Sequence, residues 1–129
     1  MIEVHETAHA DAQTVWSILA DTRRWTEWGP SVVKVEHTPS MLHACSEGRV
    51  QLPIGLWLPF RVTDFEPGRS FRWSVAGIPA TGHRVVSLGP GRSRVTFEVP
   101  TLAAPYALVC KVACRKIAKL AERQMAEGR

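Results

Sequence analysis

The sequence predicts an α+β fold: a curved antiparallel sheet of about seven strands wrapped around one long C-terminal helix, with two short helices after the first strand. Three observations predict it. Six β-branched or aromatic runs follow one another between Ser31 and Val99, separated only by short turns bearing proline, glycine or serine. Connections that short pair consecutive strands antiparallel, because parallel pairing needs a long crossover. The stretch from Thr101 to about Gly128 has proline only at Pro105 and is otherwise rich in Ala, Leu, Lys, Arg and Glu, the composition of a helix. The sheet and the helix each carry an apolar face that is unstable in water, so each is expected to cover the other.

Taken in order, Ile2 to Ala8 alternates as a strand, with Ile2, Val4, Glu6 and Ala8 on one parity. Asp11 is placed to cap a helix in which Ala12, Val15, Trp16 and Leu19 fall on one face. Asp21 and Thr22 end that helix and open a second, shorter turn toward Trp28, which Gly29-Pro30 stops. Strands are expected at Ser31 to Thr38, Ala44 to Leu52, Trp57 to Phe65, Ser70 to Ala76, Gly82 to Leu88 and Ser93 to Val99. Their separators are turn chemistry: Pro39-Ser40, Pro53-Ile54-Gly55, Pro67-Gly68, Gly77-Ile78-Pro79 and Gly89-Pro90-Gly91. Phe71, Trp73 and Val75 share one parity, as do Val95, Phe97 and Val99, so one sheet face is buried and the other wetter. In the final helix Leu102, Tyr106, Val109, Cys110, Ala113, Ile117 and Leu120 form an apolar stripe opposite Lys111, Arg115, Lys119 and Glu122.

Composition narrows the function classes. At 129 residues the chain, residues 1–129, has the length of one domain, and 45% apolar with 22% charged residues is globular composition. The start carries Glu3 and Glu6 and lacks both a basic and an apolar leader region, and Leu102 to Cys110 is too short to span a bilayer, so a cytoplasmic protein with no integral membrane segment is expected. Cys45, Cys110 and Cys114 read as free thiols, and five scattered histidines offer no metal-ligand spacing, so neither a metal nor another cofactor is expected. The net charge of +4 is concentrated on the last helix as a solvated face, and no nucleic-acid motif accompanies it. Hydrolase, metalloprotease, nucleotide-triphosphatase and dinucleotide motifs are missing.

The helix segment Ala10 to Trp16, then Asp21 and Trp25-x-x-Trp28-x-Pro30, then Val62-x-x-Phe65-x-Pro67-Gly68 leading to Phe71-x-Trp73, and Gly91-x-Ser93-Arg94-Val95-Thr96 together resemble the START-like (SRPBCC) superfamily, and more closely its polyketide cyclase/dehydrase branch. The likeness spans nearly the whole chain. It implies the helix-grip fold, in which sheet and long helix leave a cavity for lipids, sterols, polyketides or hormone-like molecules. Trp16, Trp25 and Trp73 are the residues a small domain uses as core, and Trp28 with Pro30 suits the corner between helix and strand.

The expected function is binding of a hydrophobic small molecule, a lipid, polyketide or aromatic metabolite, by Phe60, Phe71, Trp73, Phe97, Tyr106, Val109 and Cys110, in a monomer or homodimer. The alternative is a cyclase, dehydratase or aromatase in which Glu6 or His83 moves protons. A third class is a protein-interaction module using the sheet face or the basic helix face. Glu6 has inward parity but sits near a strand end, where a solvent-edge carboxylate is the plain reading. His83 shares parity with Val85 and Ser87, and Arg84 with Val86 and Leu88; alternation does not settle which set is inside. Val86 and Leu88 read as core, which leaves His83 peripheral, with a pocket acid or base as the other reading.

Overall fold

The computed structural model describes residues 1–29 and 31–128, so Pro30 of the expected corner lies outside the described residues. Strand β1 (Ile2–Ala8) leads into helix α1 (Ala12–Ala20), a 3-10 turn at Thr22–Arg24 and the short helix α2 (Trp25–Trp28). Then come β2 (Lys34–Glu36), β3 (Glu47–Gln51), β4 (Trp57–Glu66), β5 (Ser70–Val75), β6 (Ile78–Gly89) and β7 (Arg92–Val99). A 3-10 segment, Thr101–Tyr106, precedes helix α3 (Ala107–Glu127). The strands form one antiparallel sheet in the order β1-β7-β6-β5-β4-β3-β2, so β1 closes the meander by pairing with the last strand. This is the expected α+β helix-grip architecture.

The inner face of the sheet grips α3 through Cys110, Ala113, Cys114, Ile117, Ala118 and Ala121, all buried. Alanines and cysteines dominate this stripe because the helix lies close against β1 and β7, where larger side chains would hold it off. The outer face is polar: Arg84 joins Glu3 and Glu98, and Arg72 joins Glu98, so the two glutamates paired directly across β1 and β7 are neutralised from β5 and β6.

The differences from expectation have local causes. Asp11 occupies the N-cap position of α1 without capping it; its Oδ1 accepts a hydrogen bond from the Gly91 amide at 2.8 Å and so ties the β6–β7 hairpin to the start of the helix. The strand expected over Ser31 to Thr38 shrinks to Lys34–Glu36, because Ser40 and Leu42 turn away from β3 and bond the backbone of Thr22 and Ala20. Cys45 adopts a left-handed φ of 64°, so β3 begins at Glu47 rather than at Ala44. The β5–β6 turn is Ala76-Gly77, both at positive φ (53° and 78°), the geometry of a tight two-residue hairpin, and Ile78 and Pro79 are already strand. Finally, the expected helix from Thr101 starts as a 3-10 segment with a non-helical Ala103; Leu102 is fully exposed and Tyr106 is 41% exposed, so neither extends the buried stripe.

Two register shifts set the inward parity. One lies between Val62 and Asp64 of β4, the other between Arg72 and Ser74 of β5 against Gly82 and Pro79 of β6. The second brings Thr81 and His83 onto the inner face together with Val85, while Val86 and Leu88 are 44% and 36% exposed. The expectation that Val86 and Leu88 are core and His83 peripheral is therefore reversed: His83 is 3% exposed.

Candidate ligand-binding site

The side chains that could meet a ligand come from three places. β5, β6 and β7 contribute Phe71, Trp73, Thr81, His83 and Phe97 from the floor; the N-terminal half of α3, with its preceding turn, contributes Tyr106, Val109, Cys110 and Ala113 as the roof. Trp25 and Trp28 of α2, with Gly29, Ser31 and Val32 after it, close the side. Together they enclose a cavity of about 60 Å³. Adjoining it is a more open apolar groove of about 320 Å³ walled by Val50, Leu52, Val75, Val99, Ala103 and others. Ser31, Val32, Trp73, Thr81 and Tyr106 border both spaces. The Ser31 and Tyr106 hydroxyls are hydrogen bonded at 2.9 Å, joining the segment after α2 to the start of α3 across the passage between them.

The cavity is lined with aromatic carbon. Trp25 donates its ring N–H to the Leu19 carbonyl at 2.9 Å and Trp28 donates to the Ile18 carbonyl at 3.2 Å, so both indoles are anchored at the end of α1 and present only their carbon faces. Phe71 stacks on the His83 ring at 4.3 Å between centroids, and Phe97 meets the same ring edge-on at 4.5 Å. The one polar cluster on the floor is a chain: Trp73 Nε1 donates to Thr81 Oγ1 at 3.0 Å, and Thr81 Oγ1 lies 2.8 Å from His83 Nε2. His83 Nδ1 is buried without a hydrogen-bond partner.

Burial decides the protonation states. It drives the pKa of His83 down to about 3, the Phe71 backbone opposing this and Arg72 adding to it, so the ring is neutral at physiological pH. Burial pushes the Cys110 thiol up to about 11 and Cys114 to about 12, so neither is a thiolate near neutrality.

Six of the residues expected at the site, Phe71, Trp73, Phe97, Tyr106, Val109 and Cys110, line this cavity. Phe60 does not: it is 3% exposed but packed behind the lining, against Trp25 at 5.3 Å and Trp73 at 5.6 Å. Glu6 does have the parity that faces α3, yet it lies on the far flank of that helix, paired with Lys111 at 2.8 Å and Arg115 at 3.7 Å. The Lys111 contact holds its carboxyl below the usual range, against a smaller opposing effect of burial. Trp25, Trp28 and Thr81 were not among the expected ligand contacts. The Trp25-x-x-Trp28 spacing, which puts both rings on one side of a helical turn, was the available signal for two of them; Thr81 had none, because it fell between an expected turn and an expected strand.

Among the described residues no three His, Cys, Asp or Glu side chains are grouped to hold a metal ion. Among the same residues no helix is long and apolar enough to cross a membrane.

The family model described as polyketide cyclase / dehydrase and lipid transport matches residues 1–127. The chain belongs to this family. No curated protein matches it. Among solved structures, family resemblance is one of shape. The Zhui aromatase/cyclase from Streptomyces sp. R1128 superposes with a TM-score of 0.72 at 17% identity, over 96% of this chain and 94% of that one. The di-domain ARO/CYC StfQ from the steffimycin biosynthetic pathway gives 0.74 at 16% identity, over 98% of this chain and 46% of that one. A norcoclaurine synthase from Thalictrum flavum gives 0.64 at 12% identity, over 96% and 94%. At such identities the likeness carries the fold that the cyclase/dehydrase family shares, and the chemistry is argued from this chain's own cavity.

Proposed function

We propose that this member of the cyclase/dehydrase family binds an apolar or aromatic small molecule, of polyketide or similar ring-bearing character, between its sheet and α3. The observation that carries the reading is the aromatic cavity on the sheet floor continuing into an apolar groove. Ligand sites typically occupy about 300–1,000 Å³. The inner cavity of about 60 Å³ therefore takes only a head group, and a ring system extends into the groove once the Ser31–Tyr106 bond gives way. Each large apolar contact buried against the ligand contributes roughly 1.5–3 kcal/mol, which suits a site with few polar groups.

Binding is favoured over proton-transfer catalysis for a reason of charge. A general acid or base works best with a pKa near the operating pH. Glu6 lies outside the cavity in an ion pair, and His83, inside it, is held neutral far below its ordinary value. A cyclase reading is supported by the family match and by a shaped cavity, which alone favours ring closure by holding a chain folded.

The test is a titration of the protein's tryptophan emission with naphthalene-type compounds, together with native mass spectrometry of the protein as purified. Quenching through the lining tryptophans, lost in Ala113→Leu, which fills the cavity beside α3, is the expected result. Emission and melting temperature that respond to neither ring compounds, sterols nor fatty acids would overturn the assignment.

A further inference from the structure

The chain of Trp73, Thr81 and His83 holds an unbalanced number of protons. A neutral imidazole carries one N–H, the hydroxyl one O–H and the indole one N–H, three protons in all. Two hydrogen bonds join the three groups, at 3.0 Å and 2.8 Å, and the indole, a donor only, always gives its proton to Thr81 Oγ1. One proton is left over in either arrangement. If Thr81 donates to His83 Nε2, the surplus is an N–H on Nδ1, which is buried with the Phe71 backbone near it but no acceptor in hydrogen-bond geometry. If His83 Nε2 instead donates to Thr81, the surplus is the hydroxyl proton of Thr81, a residue that lines the cavity, and Nδ1 keeps a bare lone pair.

An orphaned buried donor is costly, and rarer in proteins than an under-used acceptor. A ligand oxygen placed beside Thr81 removes the surplus donor and leaves only the lone pair on Nδ1. A ligand that donates to Thr81 forces the other arrangement and leaves the Nδ1 N–H orphaned. The other hydroxyls on the lining, those of Ser31 and Tyr106, are bonded to each other, while Phe71 and Phe97 pack the His83 ring and the anchored indoles of α2 face the cavity with carbon.

We propose that the inner end of the cavity reads a carbonyl oxygen: Thr81 donates its hydroxyl proton to a neutral ketone or ester carbonyl on an otherwise apolar ligand, and His83 Nε2 donates to Thr81 from behind. The inference rests on the cavity reading above and adds the chemical class of the group that enters first. It places the carbonyl on the sheet floor and the ring system toward the groove past Tyr106, which fixes the ligand's direction of entry. His83 is a positioning residue in this arrangement, acting through the threonine.

Three matched probes test it: 2-acetylnaphthalene, its alkene isostere 2-isopropenylnaphthalene, and 1-(2-naphthyl)ethanol, each titrated by tryptophan quenching. The ketone is expected to bind about tenfold tighter than the alkene, the factor carried by one net hydrogen bond, and tighter than the alcohol. Thr81→Val should bring the ketone-to-alkene ratio to about one, while Thr81→Ser, which restores the hydroxyl, should keep the preference. Imidazole ¹⁵N shifts of His83 should report the Nε2–H tautomer in the ketone complex. Equal binding of ketone and alkene by the unaltered protein, preference for the alcohol, a ketone preference surviving Thr81→Val, or an Nδ1–H tautomer in the complex would each overturn the carbonyl assignment while leaving the cavity reading in place. Failure of all three probes to bind would remove both.

Discussion

His83 shows how one side chain couples the cavity to stability. Its ring is packed between Phe71 and Phe97 and cannot be charged without leaving a cation in aromatic surroundings. The folded pKa of about 3 lies below the ordinary value of 6.5, so between those limits the unfolded chain binds a proton that the folded chain does not. Stability from this group is therefore complete above pH 6.5 and falls as the solution is acidified toward 3, by about 1.4 kcal/mol per pH unit. Denaturation by urea at pH 7.5 and pH 5 should show the unaltered protein losing about 2 kcal/mol more than His83→Phe does; equal losses would mean that the imidazole is hydrated. Asp21, held low by Arg23, and Glu6, held low by Lys111, add further acid lability, but only near and below ordinary carboxylate values. At the same scale Gly48 has no room for a side chain: a methyl there would strike the Glu36 carbonyl oxygen and the Phe60 ring. Gly48→Ala should push β2 off β3 and cost about 1–3 kcal/mol in urea unfolding, with a cost near zero refuting the close approach.

Among elements, α3 and its 3-10 lead-in divide their labour. The helix proper is core: Ile117 is fully buried, and Ile117→Ala should cost about 2–5 kcal/mol in thermal or urea unfolding. The lead-in buries no residue, with Leu102 fully exposed, a non-helical Ala103, and a link to the segment after α2 through the Tyr106–Ser31 hydroxyl pair. That bond is solvent-accessible, so Tyr106→Phe should cost no more than about 1 kcal/mol of stability. The same change should speed association of a naphthalene ligand in stopped-flow fluorescence, because it releases the passage between cavity and groove. An unchanged association rate would place the entrance elsewhere. The β5–β6 hairpin acts on the floor in a different way. Its tight Ala76-Gly77 turn and the register shift beside Trp73 deliver Thr81 under the indole, and without that shift the hydroxyl would sit on the solvent face.

At the scale of the molecule, charge and exposure are segregated. No charged residue occurs from Val50 to Phe60, from Trp73 to Gly82 or from Val99 to Cys110, the segments that build the groove and its rim. Ile54, Ile78, Leu102 and Leu108 are exposed in or beside these stretches, at 83%, 69%, 102% and 78%. Large side chains this exposed add little to folding, so Leu102→Ser should leave urea stability within about 0.5 kcal/mol; a larger loss would show that the lead-in is packed more tightly than its exposure indicates. The cations of α3 are partly spent on the fold, since Lys111 and Arg115 hold Glu6, while Lys116, Lys119 and Arg123 face solvent.

Much of this architecture was legible in the chain itself. Alternation in β1, β5 and β7, the turn residues between strands and the proline-poor C-terminal stretch determined the elements, their antiparallel pairing and the α3 stripe from Cys110 to Ile117, because those signals are local and periodic. The same periodicity put Phe71, Trp73 and Phe97 on the cavity floor, and the family resemblance put Tyr106, Val109 and Cys110 beside it. Tertiary structure alone decided the rest. Which parity of β6 faces inward depends on a register shift against β5, a relation between two strands that neither spells out, and it turned His83 from a peripheral residue into the centre of the floor. Phe60 and Glu6 have inward parity and still miss the cavity, since a face of a sheet is larger than the pocket on it. The proton left over among Trp73, Thr81 and His83 exists only because the β5–β6 hairpin places these three groups in line and folding buries them away from water.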